Sequence, residues 1–205
     1  MGRDVIAIVD YGMGNLRSVE KGFRKVGVEA RIVTTPSAVE DASGIVLPGV
    51  GAFRDCVRNL TDAGLTEAVV SGIGKGKPFL GICLGLQVLF SESEEFGRCT
   101  GLGVFRGKVA RFPRGALKVP HMGWNRLSIK RRPPLLNDIP DGGYFYFVHS
   151  YYVEPDRAED VLRWTSYGSR FCSIASRDKI WGAQFHPEKS QDSGKKLLHN
   201  FLAIS

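Results

Sequence analysis

The sequence predicts an α/β fold: a doubly wound, mostly parallel sheet with antiparallel strands added at one end. Before Phe96, short apolar runs alternate with segments of helical spacing, which is the pattern of parallel strands joined by helices. After Phe96, runs rich in aromatic and β-branched residues follow one another with few helical segments between them, which is typical of antiparallel strands. No repeat or linker divides the pattern, so we expect a single domain over residues 1–205.

Apolar runs and helical spacing divide the first half of the chain into strands and helices. The predicted strands are residues 5–10, 30–34, 44–47 and 78–82, and the predicted helices are residues 16–26, 55–72 and 86–90. Glycine-containing segments follow three of these strands, at residues 11–15, 48–53 and 81–85. In a doubly wound sheet the site lies at the carboxyl ends of the strands, so we expect these three segments to meet there.

The second half is predicted to be rich in strands. The predicted strands are residues 104–112, 124–129, 144–153 and 161–167, followed by a hairpin of residues 171–175 and 180–185. Residues 131–143 are rich in proline and predict a surface loop. Residues 190–204 predict an amphipathic helix that closes the chain.

Cys83 lies at the junction of a predicted strand and a predicted helix. Gly81 and Gly85 flank it, giving G-x-C-x-G, the cysteine counterpart of the G-x-S-x-G nucleophile elbow. Glycines at these positions leave no Cβ atoms where backbone segments come close, and a helix start favours a thiolate over a thiol. The pattern is typical of a nucleophile. The alternative is a small apolar residue at a crowded turn.

A histidine and a carboxylate follow the last predicted strand. Pro187 biases His186 to an extended conformation, so the side chains of His186 and Glu188 can project to the same side. A histidine held by a carboxylate is the base and its orienting group in a nucleophilic triad. Taken alone, the segment is also compatible with the exposed end of a strand.

Composition and motifs exclude several classes of protein. No apolar run approaches the roughly 20 residues of a membrane span, and the N-terminus lacks the apolar core of a signal peptide. The four cysteines contain no C-x-x-C pair, so neither a zinc site nor a disulfide framework is indicated. Arg17 stands where a dinucleotide-binding fingerprint needs its third glycine. We expect a cytoplasmic protein without a metal or cofactor.

Positive charge is concentrated in one segment. The chain carries a net charge of +7, and no acidic residue occurs from Phe96 to Asn137. The basic residues of this segment are Arg98, Arg106, Lys108, Arg111, Arg114, Lys118, Arg126, Lys130, Arg131 and Arg132. Such a segment could face nucleic acid, a phosphorylated metabolite or an acidic protein surface, or be a solvated face. Because no nucleic-acid-binding signature is present, we expect no nucleic-acid partner.

Taken together, the motifs resemble those of the class I, triad-type glutamine amidotransferases. The resemblance rests on G-I-C-L-G-L-Q at residues 81–87 and Q-F-H-P-E-K-S at residues 184–190. Further segments resemble one branch of the family, the glutaminase subunits of imidazole glycerol phosphate synthases. These segments are D-Y-G-M-G-N at 10–15, P-G-V-G-A-F at 48–53, P-H-M-G-W-N at 120–125 and H-S-Y at 149–151.

The resemblance implies that glutamine is hydrolysed to glutamate and ammonia by a triad of Cys83, His186 and Glu188. Cys83 would attack the side-chain amide carbon, His186 would carry the protons, and Glu188 would orient His186. The oxyanion-hole residues implied by the resemblance are Val50, Gly51 and Leu84. The glutamine-binding residues implied by the resemblance are Gly51, Gln87, Ser150 and Tyr151.

The resemblance also implies a partner. Ammonia would pass through a sheltered route to a separate (β/α)₈-barrel cyclase subunit of imidazole glycerol phosphate synthase, in a heterodimer that serves histidine biosynthesis. The residues that match interface positions of the family are Asn15, Trp124, Asn125 and Lys189. Part of the basic segment could face the barrel too.

Other functions share some of these features. A glutaminase that serves a different synthase would have the same triad. A non-catalytic α/β scaffold that binds an acidic partner would not need Cys83. A cysteine peptidase or a redox-sensing domain would share the elbow, but neither explains the H-S-Y and P-G-V-G segments.

Overall fold

The computed structural model of the chain describes residues 5–113, 115, 117–129 and 133–204. The strands of this part are β1 (Ile6–Val9), β2 (Ala30–Val33), β3 (Gly44–Gly49), β4 (Phe79–Cys83), β5 (Phe90–Ser93), β6 (Cys99–Thr100), β7 (Phe105–Arg111), β8 (His121–Arg126), β9 (Ser128–Ile129), β10 (Tyr144–His149), β11 (Tyr151–Pro155), β12 (Val161–Tyr167), β13 (Ser169–Arg177) and β14 (Ile180–Ala183). Its helices are α1 (Leu16–Lys25), α2 (Pro36–Asp41), α3 (Phe53–Asp62), α4 (Leu65–Gly74), α5 (Leu84–Gln87) and α6 (Gln191–Ala203).

Most of the described strands form one sheet. Their order is β2-β1-β3-β4-β14-β13-β11-β7-β5-β6, and beside this path β12 pairs with β13 and β9 pairs with β12. The strands from β2 to β14 run parallel. Strand β13 is antiparallel to β14 and β11, and β11 is antiparallel to β7, whereas β5 pairs with β7 in parallel. Strands β8 and β10 form a separate antiparallel ribbon. The predicted fold class is therefore confirmed, with the antiparallel strands at one end of the parallel sheet.

Helices cover both faces of the parallel strands. Alternate residues of β1 contribute to two apolar cores: Ile8 packs in the cluster that contains Phe23 of α1 and Phe201 of α6, and Val9 packs in the cluster that contains Leu60 of α3. The rings of Phe23 and Phe201 lie 6.3 Å apart. Every residue of β1 is buried, because this strand is covered on both sides, and this explains why it reads as an unbroken apolar run.

Several predicted elements differ from the structure. The predicted helix at residues 86–90 is wrong: α5 ends at Gln87, and Phe90 begins β5, because the backbone carbonyls of Val88 and Leu89 accept hydrogen bonds from residues 102 and 105. The predicted helix at residues 55–72 is two helices, since Gly64 adopts φ +68° between α3 and α4. The predicted strand at residues 144–153 is interrupted at Ser150, where the chain leaves the ribbon for the main sheet.

The basic segment is partly neutralised by acidic residues of neighbouring strands. Arg98 pairs with Glu92, and Lys108 pairs with Glu94, all with exposed or half-exposed side chains. These contacts fit a solvated face for this part of the segment. Four members of the segment lie outside the described residues: Arg114, Lys130, Arg131 and Arg132. Within the described ranges, no helix has the length and apolarity that crossing a membrane requires.

Candidate active site

Cys83 occupies a strained turn between β4 and α5. Its backbone dihedrals are φ 56° and ψ −106°, a region that residues with a side chain rarely adopt. A Cβ atom on Gly85 would lie 1.8 Å from the carbonyl oxygen of Leu47, and one on Gly81 would lie 2.4 Å from the carbonyl oxygen of Gly85. Glycine is therefore required at both positions, and the sharp turn that the G-x-C-x-G pattern predicts is present.

Strand β14 brings His186 next to this turn. It pairs in parallel with β4, with Ala183 opposite Ile82, so the segment after β14 emerges beside Cys83. Nδ1 of His186 lies 2.8 Å from Oε1 of Glu188, and both side chains are buried. An ionised carboxylate only accepts, so Nδ1 of His186 carries a proton. Its Nε2, which has no well-aligned hydrogen bond to the described residues, is left for the proton of a thiol.

The surroundings of His186 favour its protonated form. Burial lowers the pKa of His186, but the interactions with Cys83 and Glu188 outweigh burial, so the pKa lies above the usual value of a histidine. An imidazolium next to a cysteine favours the thiolate, which is the nucleophilic form. The pair is therefore suited to nucleophilic attack followed by proton delivery to a leaving group.

A cavity of about 370 Å³ lies over Cys83, a volume in the lower range of small-molecule sites. It is lined by Val50, Gly51, Cys83, Leu84, Gln87, Glu95, Pro120, Val148, His149, Ser150, Tyr151 and His186. All of the predicted oxyanion-hole and glutamine-binding residues are in this set, and Glu188 contacts His186 just outside it. The lining residues that sequence reasoning did not single out for the site are Glu95, Pro120, Val148 and His149.

Tyr11 holds the base of the predicted oxyanion loop. Its hydroxyl donates to the carbonyl oxygen of Pro48 at 2.8 Å. A Cβ atom on Gly49 would lie only 2.5 Å from the same hydroxyl, so the loop packs closely against Tyr11. Burial raises the pKa of Tyr11, so the hydroxyl stays a donor. A Cβ atom on Gly51 would lie 2.7 Å from the methyl group of Met13. The glycine segments after β1 and β3 therefore meet beside the Cys83 turn, as the sequence predicts.

Comparison with known protein families decides the class. The model of the class-I glutamine amidotransferase family matches residues 7–204. The chain belongs to the class-I glutamine amidotransferases. Imidazole glycerol phosphate synthase subunit HisH of Geobacter metallireducens is 55% identical to this amidotransferase over 202 residues, which cover 96% of each chain. The protein of the same name from Desulfitobacterium hafniense is 51% identical over 197 residues, which cover 96% of this chain and 93% of the relative.

Solved structures share the fold of this amidotransferase. A crystal structure of a glutamine amidotransferase matches it with a TM-score of 0.76 at 19% identity, covering 97% of both chains. The structure of PurLQS from Thermotoga maritima matches with a TM-score of 0.75 at 17% identity, covering 98% of this chain and 99% of the other. At such low identity these structures support the fold alone.

Two buried amides link the cavity wall of the amidotransferase to its cysteine. Nε2 of Gln87 lies 2.9 Å from the carbonyl oxygen of Tyr151 and 3.1 Å from Oε1 of Gln184. Nε2 of Gln184 lies 3.7 Å from Sγ of Cys83. Sequence reasoning missed Gln184. The only available signal was its place in the Q-F-H-P-E-K-S segment, two positions before His186.

Two buried histidines continue this network away from the cavity. Nδ1 of His149 lies 2.8 Å from the carbonyl oxygen of Tyr151, and Nε2 of His149 lies 2.9 Å from Nδ1 of His121. Nε2 of His121 lies 3.2 Å from Nδ2 of Asn125. Burial lowers the pKa of His149 to about 3 and that of His121 to about 4, so both rings are neutral at pH 7. The sequence motifs contain both histidines but gave them no role.

The predicted partner-interface residues of the amidotransferase differ in exposure. Asn15, at the start of α1, and Lys189, in the turn after β14, are exposed. Trp124 is 46% exposed on β8 and packs against Tyr146 of β10. Asn125 is half-buried, and its amide bonds within the protein.

Proposed function

We propose that this amidotransferase hydrolyses glutamine with Cys83, His186 and Glu188 and supplies the ammonia to a cyclase subunit of imidazole glycerol phosphate synthase in histidine biosynthesis. The observation that carries the proposal is the shared cavity: Cys83 and His186 line it together, and Glu188 lies 2.8 Å from His186. The 55% identity to a HisH subunit of that synthase supports the pathway.

The proposed reaction has two halves. In the first, the thiolate of Cys83 attacks the side-chain amide carbon of glutamine, and the imidazolium of His186 protonates the nitrogen that leaves as ammonia. In the second, His186 takes a proton from water, which attacks the thioester and releases glutamate and the thiolate. Both tetrahedral intermediates carry an oxyanion. The backbone amides of Leu84 and of the loop at Val50 and Gly51 are the proposed donors.

Gln87 is proposed to hold the amino-acid end of glutamine. Both N–H groups of its amide donate within the protein, to Tyr151 and to Gln184. Its Oε1 is therefore the group offered to a substrate, and an ammonium group is the donor that suits it. Gly51, Ser150 and Tyr151 line the same cavity and complete the proposed binding residues.

A partner is needed because ammonia released into water at neutral pH takes up a proton and loses its nucleophilicity. The relatives are named as subunits of a synthase, which supports a partner subunit. We propose that it is a (β/α)₈-barrel cyclase in a heterodimer, in contact with Asn15, Trp124, Asn125 and Lys189. Met122 and Trp124 are 62% and 46% exposed on β8, and exposed apolar side chains of this size support an interface on the ribbon.

The remaining features of the proposal concern the whole chain. We infer that residues 1–205 form one amidotransferase domain, which the single large sheet supports. We infer a cytoplasmic location, which is supported by four cysteines that are all free thiols. The proposed hydrolysis needs no cofactor and no metal.

The proposal is tested by measuring glutamate release from glutamine by the purified chain, alone and with a cyclase subunit and its nucleotide substrate. We expect low activity alone and a rise of orders of magnitude with the liganded partner. Cys83→Ala should lower the stimulated activity by at least about 10⁴-fold.

Two other results would overturn parts of the proposal. Glutamine hydrolysis that does not respond to the cyclase would assign the chain to a different synthase. The absence of hydrolysis in every mixture would instead identify a non-catalytic scaffold.

A further inference from the structure

The buried amide of Gln184 lies beside the sulfur of Cys83. Its Nε2 is 3.7 Å from Sγ, and the residue is fully buried. We propose that Gln184 is a further catalytic residue, which donates an N–H to the Cys83 thiolate and so increases the fraction of reactive cysteine. The proposal rests on the proposed function, in which Cys83 is the nucleophile.

The direction of this hydrogen bond is fixed by a group that lies further along the network. The carbonyl oxygen of Tyr151 can only accept, so the group of Gln87 that lies 2.9 Å from it must be the NH₂ group. The same NH₂ group is 3.1 Å from the amide of Gln184, which must therefore present its oxygen to Gln87. The NH₂ group of Gln184 is then left facing Cys83. A reversed amide would set two donors against each other at Gln87.

His149 also helps to fix the orientation of the Gln184 amide, through the Tyr151 carbonyl. Nδ1 of His149 donates to the same Tyr151 carbonyl at 2.8 Å. That carbonyl therefore accepts two hydrogen bonds, one from His149 and one from Gln87, which uses both of its lone pairs. The orientation of the Gln184 amide is thus determined by buried groups on α5, β10 and β11.

A hydrogen bond to a thiolate has a distinctive kinetic effect. It stabilises the charged sulfur, so more of the cysteine is ionised at a given pH. It also reduces the nucleophilicity of each thiolate, since nucleophilicity falls as the thiol becomes more acidic. Loss of the donor should therefore move the reaction of Cys83 to higher pH without lowering the rate at the alkaline plateau. Damage to the structure would instead expose Cys83, which is 7% exposed in the fold, and would also weaken the cooperative unfolding of the variant.

Other titratable groups face this region and are common to all variants. They are His186 and Glu188 from the segment after β14, His149 from the end of β10, Tyr11 from the end of β1, and Glu95 at the cavity wall. Since none of them is changed, a difference in pH dependence between variants reports on the substituted amide.

The test is alkylation of Cys83 by iodoacetamide in the full-length chain between pH 5 and pH 10, with the modified residue identified by mass spectrometry. Gln184→Met keeps the volume and removes the donor, and we expect the midpoint of alkylation to rise by about one pH unit with an unchanged or higher plateau. Gln184→Glu places a second negative charge beside the sulfur and should raise the midpoint further.

Ser173→Ala is the matched control. Its backbone pairs with Gln184, and its buried hydroxyl has no hydrogen-bond partner among the described residues, so its midpoint should equal that of the wild type. If Gln184→Met does not fold, Gln87→Met frees the Gln184 amide to rotate and should shift the midpoint in the same direction. A wild-type midpoint in the folded variant overturns the proposal. Alkylation requires no glutamine, so failure here is distinct from failure of the proposed glutaminase activity.

Discussion

Nε2 of His149 lies 2.9 Å from Nδ1 of His121, and the direction of this hydrogen bond follows from its neighbours. His149 uses its Nδ1 proton for the Tyr151 carbonyl, so its Nε2 accepts and His121 donates. Nε2 of His121 then accepts from the Asn125 amide. Each ring therefore has a single compatible neutral tautomer. The hydrogen bonds lead from Asn125 in the ribbon, through the two histidines, to Tyr151 in the cavity wall.

Truncation of His149 should weaken glutamine binding. His149→Leu removes the donor to the Tyr151 carbonyl, which also anchors Gln87, so we expect KM for glutamine to rise by about tenfold with a smaller change in kcat. His149→Asn can place an amide N–H near the position of Nδ1 and should recover most of the affinity. Steady-state kinetics of both variants with the partner present checks this. Equal KM values for the two variants would contradict the proposed role of the Nδ1 donor.

The two buried histidines should make the fold sensitive to acid. Their pKa values are lowered by burial to about 3 and about 4, whereas in the unfolded chain they are near 6.5. Between these values the unfolded chain binds more protons, so the free energy of unfolding is fully retained above about pH 6.5 and falls as the pH decreases, by about 1.4 kcal/mol per pH unit for each proton taken up.

Urea unfolding at pH 7 and pH 5 measures this dependence. His121→Phe, which keeps an aromatic ring among Phe147 and Tyr167, should show a smaller loss between the two pH values than the wild type. His199→Gln, at an exposed position of α6, is the control and should behave as the wild type. An identical loss in His121→Phe would show that this histidine does not contribute.

Gly85 should not tolerate any side chain. A Cβ atom there would lie 1.8 Å from the backbone oxygen of Leu47, and backbone cannot move away as a flexible side chain can. We expect Gly85→Ala to lower the free energy of unfolding by more than about 4 kcal/mol or to prevent folding. Gly74→Ala is the matched control, because a Cβ atom at this helical position meets open space and should stabilise by up to about 1 kcal/mol. Comparable losses in both variants would refute the steric argument.

The buried carboxylate of Asp160 should be important for stability. Asp160 is 1% exposed and accepts from Nε of Arg177 at 3.0 Å, with a second contact to the same guanidinium. Asp160→Asn removes the charge and should cost about 2 kcal/mol, since it weakens charge-assisted hydrogen bonds at a buried carboxylate, whereas the Arg177 side chain is 31% exposed and can be solvated. Asp192→Asn, in the exposed pair with Lys195, should cost less than about 1 kcal/mol. Chemical unfolding of both variants measures the difference, and similar costs would show that burial is not decisive.

Local sequence patterns predict the strands that are buried along their whole length and the turn that requires glycine. The apolar runs predict β1, β3 and β4 correctly because these strands are buried on both faces. The glycines predict the turn at Cys83 correctly because a side chain would clash at their positions. The apolar run at residues 86–90 predicts a helix wrongly, because at that length the start of a buried strand and a buried helix have the same apolar pattern. The hydrogen bond between Gln87 and Gln184 cannot be predicted from a local pattern, because the two residues are 97 positions apart in the sequence.

Strand β14 lies between β4 and β13, and it is the connection between the parallel and antiparallel parts of the sheet in the residues described. It is also the last strand along the chain among the described residues, and His186 and Glu188 follow it directly. Cys83 is therefore synthesised before its base, and it stays without that base until β14 has been made. We expect a nascent chain that lacks β14 to hold an unactivated cysteine, because the strand that brings His186 to Cys83 also joins the two parts of the sheet.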